Sequence, residues 1–254
     1  MKFLCSLNKT ERLILGLSVI CAAFLSLPGQ ASAMHIMEGY LPIGYSIAWG
    51  AVCIPFLVLG IFKLRKTIEE NKRALILLAM SGAFIFVISS LKIPTVTGSC
   101  SYMTGAGLSA ILFGVTTTSV LGIIVLIFQA VLLAHGGLTT LGANTFSMAI
   151  AGPAVAVLLF SIGKKLKLNR SVSVFIAAAA GDLFTYCVTS IQLALAHPSQ
   201  SGGVTASLAK FLVVFAPTQV PLAIVEGLLT VLIVIGLEKY AKQELTSIAF
   251  LEAK

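Results

Sequence analysis

Apolar runs of about twenty residues alternate along this chain with short polar segments, and that alternation predicts its elements. After a shorter run at Leu13–Leu27, the long ones lie at Pro42–Phe62, Ala74–Ile93, Gly105–Ala134, Asn144–Gly163, Ser171–Ala196 and Phe211–Leu237. As helices they are long enough to cross a bilayer, at 1.5 Å of rise per residue. The pattern predicts an all-α, polytopic membrane helix bundle with no soluble domain. Composition agrees: 58% of the 254 residues are hydrophobic and 10% charged, against about a quarter charged in soluble domains. Mean hydropathy is +1.04.

The first run reads as a secretory leader. Lys2, Lys9 and Arg12 form its basic end, Pro28-Gly29 breaks the apolar core, and Ala31-Ser32-Ala33 has the small residues of a cleavage site. The expectation is a signal peptide over 1–33 and an integral membrane domain over 34–254. The alternative is an uncleaved anchor helix.

Net charge is +8. In a soluble protein this would suggest nucleic acid, but here the basic residues cluster between apolar runs, as topology signals do. With the mature amino terminus outside the cell membrane, the segment Lys63–Arg73 is cytoplasmic. Lys164, Lys165, Lys167 and Arg170 join it only if Gly105–Ala134 crosses twice. That tract has 30 residues, with Gly114 and Thr116-Thr117-Thr118-Ser119 near its middle. Two full spans need about forty, so the first half must be truncated. Seven passes result, with a cytoplasmic carboxyl terminus and 12 of the 14 Lys and Arg beyond residue 33 inside; the exceptions are Lys92 and Lys210. The new amino terminus then shares one side with the uncharged loop Pro94–Thr104, with His135–Ala143 and with the loop after His197.

Candidate chemistry is sparse. The five cysteines have no zinc-like or CxxC spacing, and Cys5 and Cys21 fall in the leader. The three histidines are His35, His135 and His197. Cleavage after Ala33 would leave Met34 as a free α-amine one residue before His35. The amine, the backbone nitrogen of His35 and its ring can close around one transition-metal ion, an arrangement suited to Ni(II), Cu(II) or low-spin Co(II). His135, before Gly136-Gly137, is either a helix-terminal histidine or a ligand, and His197 is expected in a loop. Cys100 and Met103 are soft ligands or gap-fillers. Cys53 and Cys187 are expected as span residues. Asp182 and Glu226 are acids inside apolar runs, either functional or paired structurally. Glu38 either orients the amino terminus or is solvated. An intramembrane enzyme using Asp182 or Glu226 has no paired-acid or Ser/His motif behind it.

Three blocks carry a resemblance: Met34-His35-Ile36-Met37-Glu38-Gly39-Tyr40-Leu41-Pro42; Leu91-Lys92-Ile93-Pro94-Thr95-Val96-Thr97-Gly98-Ser99-Cys100-Ser101; and Leu132-Leu133-Ala134-His135-Gly136-Gly137-Leu138-Thr139-Thr140-Leu141-Gly142-Ala143-Asn144. Together they resemble the cobalt-transport CbiM family, the substrate-specific membrane subunits of energy-coupling factor transporters. The resemblance implies Co(II) uptake for cobalamin synthesis, with a small membrane subunit CbiN, a coupling subunit CbiQ and an ATPase CbiO as partners. No Walker sequence occurs in this chain, so ATP hydrolysis belongs to a partner. Ni(II) uptake, or a non-transporting scaffold or regulatory role, is the alternative. In the family the metal is held by the terminal amine, the second residue and a loop histidine after the Ser-Cys-Ser block. Met34 and His35 match. The loop position here is Tyr102, a poor ligand as a neutral phenol: either another group completes the site, with His135 or Cys100 as candidates, or affinity is reduced, or the chain no longer handles the family's metal. The expected metal residues are Met34, His35 and His135.

Overall fold

A computed structural model of the chain describes residues 35–91, 93–94, 100–248 and 250, all within one unit, Ser32–Lys254. The expected leader, its cleavage site and Met34 lie outside the described residues. The helices are α1 (Ile43–Glu70), α2 (Ala74–Ser90), α3 (Ala106–Phe113), α4 (Val115–Leu133), α5 (Leu141–Lys165), α6 (Arg170–Ala196), α7 (Gly203–Tyr240) and a short α8 (Lys242–Ser247). A two-residue antiparallel pair, β1 (Ile93–Pro94) with β2 (Cys100–Ser101), closes the loop after α2.

Five of these helices have the length and apolarity to cross a membrane, and α2 is a shorter apolar helix of 17 residues. The tract 105–134 supplies two passes, the first of them truncated to the eight residues of α3. The break is at Gly114, whose φ of +83° is one that side chains rarely adopt. There the chain doubles back: Ser109 Oγ and Thr118 Oγ1 lie 3.0 Å apart, where nine residues of continuous helix would separate them by about 13 Å. Lys63 of α1 donates its Nζ to Phe113 O at 2.8 Å, capping the carboxyl end of α3.

The bundle exposes many large apolar side chains and buries polar ones among its hydrophobic core. Ile43, Phe62, Leu132 and Val213 are exposed, while Gln129, Asn144, Asp182, Gln192, Gln219 and Glu226 are buried. Water would reverse that distribution; a hydrocarbon surround favours it. Small residues let the helices close. A Cβ on Gly122 of α4 would meet Ala149 Cβ of α5 at 2.3 Å, and one on Gly152 would meet Thr185 Oγ1 of α6 at 2.1 Å.

Two helices depart from regular winding where polar side chains are needed. In α5, Thr145–Ala151 forms a π turn ahead of Pro153, which lacks a ladder N–H. Donors from α6 serve carbonyls there: Thr185 Oγ1 to Ser147 O at 3.2 Å and Gln192 Nε2 to Ala143 O at 3.1 Å. In α7, Pro217 and Pro221 remove two ladder donors, and Thr218 and Gln219 between them turn to the loop after β2 (Ser101 Oγ to Thr218 Oγ1, 2.7 Å; Gln219 Nε2 to Tyr102 O, 3.2 Å).

Helix ends overrun the hydropathy boundaries. α1 continues past Phe62 through the basic segment to Glu70, and α7 begins at Gly203 rather than Phe211.

Candidate metal centre

The segment His35–Leu41 lies across the bundle end as a strap with a turn at Met37–Tyr40, where Tyr40 N donates to Met37 O at 3.2 Å. Ile36 and Leu41 are buried in the cluster formed by Tyr102, Val125, Leu126, Met148 and Phe215, each burial contributing about 1.5–3 kcal/mol relative to water. Asn144 grips the backbone of Ile36 on both sides: Ile36 N donates to Asn144 Oδ1 at 2.9 Å, and Asn144 Nδ2 donates to Ile36 O at 3.0 Å. Thr140 Oγ1 donates to the same carbonyl at 2.6 Å. Farther along, Thr139 N donates to Glu38 Oε2 at 3.2 Å and Gly39 N to Thr139 Oγ1 at 3.3 Å. Hydrogen bonds from the Thr139 side chain and backbone hold the Glu38 carboxyl below its ordinary value. At the outer end Tyr40 O meets His197 Nε2 at 2.8 Å.

Pinning the strap carries His35 inward until it is fully buried. His135 follows the left-handed Ala134 (φ +46°) that ends α4, and it too is buried. His35 Nδ1 and His135 Nε2 lie 3.1 Å apart, although 100 residues separate them in the chain. Tyr102 stacks on His35 with ring centroids 4.0 Å apart and planes at 20°. Its face, not its hydroxyl, meets the imidazole. Burial pushes the Tyr102 phenol well above its ordinary value, so it stays neutral.

Two nitrogens at this spacing suit one ion. Metal–nitrogen bonds of about 2.1 Å at a right angle put cis ligands about 3.0 Å apart. Binding requires the proton between the rings to leave and the lone pairs to converge on the ion.

The structure thus brings His35, His135 and Tyr102 together, and places His197 at the outer end of the strap, away from that pair. Met103 packs with Ile88 and Leu222 in an apolar cluster, so its thioether is a filler. Among the described residues no three His, Cys, Asp or Glu side chains converge on one point; the side chain of Cys100, the other candidate to complete the site, lies outside what the structure describes. Two features escaped the sequence. Asn144 figured there only as the edge of a block and of a span, and the absence of a paired-acid motif concealed that Asp182 and Glu226 meet across α6 and α7, both within hydrogen-bonding reach of Thr104 N.

A bundle of this construction, with buried imidazoles at one end, defines a multi-pass membrane protein of the transition-metal transporter class. It superposes on the crystal structure of a truncated transition metal transporter with a TM-score of 0.71, at 28% identity, covering 81% of this chain and 99% of that one. The family described as the cobalt uptake substrate-specific transmembrane region, CbiM, matches residues 35–244. The chain belongs to that family, and is a membrane transporter component for cobalt uptake. It is 63% identical over 242 residues to the cobalt transport protein CbiM of Lachnoclostridium phytofermentans, covering 95% of this chain and 97% of the relative. It is 54% identical over 233 residues to that of Ruminiclostridium cellulolyticum, covering 92% and 94%.

Proposed function

We propose that this chain is the substrate-binding subunit of an energy-coupling factor importer and that it captures Co(II) with its own processed amino terminus. The observation that carries the reading is the buried contact in which His35 and His135 meet at 3.1 Å, directly beside the point where a cleaved chain would begin. The Met34 amine, the His35 backbone nitrogen, the His35 ring and the His135 ring supply four nitrogens. His135 thereby takes the place of the loop histidine that Tyr102 replaces. A free amine at Met34 requires removal of residues 1–33, and the positions of the basic clusters support an outward-facing orientation for that end of the bundle. Conversion of capture into import falls to partners of the CbiN, CbiQ and CbiO kinds, since this chain carries no phosphate-binding loop. The cobalt so delivered would supply cobalamin synthesis. Ni(II) shares the same ligand preferences, so competition between the two ions belongs in any test.

The test is a Co(II) titration of purified protein whose first residue is Met34, as verified by mass spectrometry. One ion per chain is expected, with affinity that falls as pH falls. The sign follows from the ligands: each binds deprotonated, so protons compete as pH drops through about 8 for an amine and about 6.5 for an imidazole. Affinity that is flat between pH 8 and pH 6 would exclude nitrogen ligands of this kind.

A backbone variant checks the strap separately. A Cβ at position 137 would stand 2.5 Å from Glu38 Cα and 2.6 Å from Glu38 N, so Gly137→Ala must push the strap outward. Misplacement on the ångström scale is expected to weaken Co(II) binding by about 100-fold, with the thermal transition of the metal-free bundle nearly unchanged. Wild-type affinity in this variant would mean that the strap does not set the site.

A further inference from the structure

The pocket is not supported by the strap alone. On its other side, Tyr102 sits in a loop whose anchors are two acids that metal binding leaves unused. Glu226 Oε2 accepts from Thr104 N at 2.6 Å, and Thr104 Oγ1 donates to Glu226 Oε1 at 2.9 Å. Asp182 Oδ1 shares the Thr104 N–H at 3.3 Å, while Asp182 Oδ2 accepts from Gln219 Nε2 at 2.5 Å. The same Gln219 Nε2 donates to Tyr102 O at 3.2 Å. Both acids are buried. The ion pairs among the described residues, Lys66–Glu70 and Arg170–Glu238, involve neither of them.

Two buried carboxyls that share one N–H, with no cation beside them among the described residues, cannot both be ionised. The donors identify which one holds the proton. Glu226 receives the backbone and the hydroxyl of Thr104 and lies at the amino end of α3, where the helix dipole favours an anion. Asp182 has one strong donor, on Oδ2, and only a long one on Oδ1, so it is the acid left to carry the proton they share.

Resting on the metal-binding reading above, we propose that Asp182 and Glu226, bridged by one proton, form a latch that fixes the loop Tyr102–Thr104 and so seats Tyr102 on His35. They are positioning residues for the metal centre. Glu226 holds Thr104, Asp182 holds Gln219, Gln219 holds the Tyr102 carbonyl, and the Tyr102 ring holds the plane of the His35 imidazole.

The two acids should respond differently to amide substitution. Asp182→Asn keeps a donor toward Glu226 and an acceptor for Gln219, so Co(II) affinity should stay within about threefold of wild type, about 0.7 kcal/mol. Glu226→Gln leaves one carbonyl oxygen where two oxygens accept from Thr104 N and Thr104 Oγ1, and turns an N–H₂ toward one of those donors. It should weaken Co(II) binding by about 10–100-fold, as loss of an outer support to a metal ligand does. It should also shift the visible bands of bound Co(II), which a change in stability alone would not do. Infrared spectra of the metal-free protein in ester-free detergent supply a readout independent of binding and of how well Glu226→Gln folds. The carbonyl stretch of a protonated carboxylic acid should be present in wild type and gone in Asp182→Asn. The latch is refuted if wild type lacks that band, if the band survives in Asp182→Asn, or if folded Glu226→Gln binds Co(II) with wild-type affinity and spectrum. If wild type itself fails to bind Co(II), the metal reading falls and the positioning role with it, while the infrared arm still decides the proton bridge.

Discussion

Protein carrying one extra alanine ahead of Met34 is expected to lose Co(II) binding by about a thousandfold or more, about 4 kcal/mol, while folding normally. The extension moves the amine one residue out of reach and turns the Met34 nitrogen into an amide. It therefore deletes one ligand and opens the chelate ring that the amine closes with the His35 backbone. Nothing in the described bundle depends on that nitrogen: Ile36 is held by Asn144 and Thr140, and Glu38 by Thr139. Circular dichroism and the thermal transition should match wild type. Equal Co(II) affinity with and without the extra residue would end the terminal-amine reading. Acetylation of the processed amine should act in the same direction.

The second large effect is expected at His135. Replacing it by alanine removes a ring nitrogen 3.1 Å from His35 Nδ1, and should lower Co(II) affinity by about 100–1,000-fold, about 3–4 kcal/mol. Tyr102→Phe is the matching control. It keeps the ring stacked on His35, an interaction of about 0.5–1.5 kcal/mol, and removes only the hydroxyl. Binding close to wild type is expected there. If instead Tyr102→Phe loses the metal and His135→Ala keeps it, the phenol is the ligand and the assignment is reversed. A titration series on the two variants under one set of conditions decides between them.

Much of the architecture could be read from residue order. Apolar runs located the spans, and the basic cluster Lys164–Arg170 required the tract 105–134 to cross twice, with a truncated first half that became α3. Span ends were less legible. Lys63, Arg65, Lys66, Glu69 and Glu70 are polar but favour helix, and Lys66 pairs with Glu70 at 3.7 Å, one turn apart, so α1 runs on beyond the apolar stretch. The π turn had no sequence signal beyond Pro153. The meeting of His35 with His135 was visible only as one option among several, because composition cannot report a contact across 100 residues. The meeting of Asp182 with Glu226 was hidden for the same reason. What joins them is Thr104, a residue with no chemistry of its own to attract notice.

The strap has a kinetic corollary. His35 is completely enclosed, by its own segment and by the Tyr102 ring stacked on it. If His35 holds the ion as proposed, entry and exit require that cover to move, and residues 35–41 must then lift from Asn144, Thr140 and Thr139 or Tyr102 must swing away. Residence time is then governed by how often that cover opens rather than by bond strength at the metal. Slow exchange can thus accompany moderate affinity, and prompt discharge requires something to pry it open.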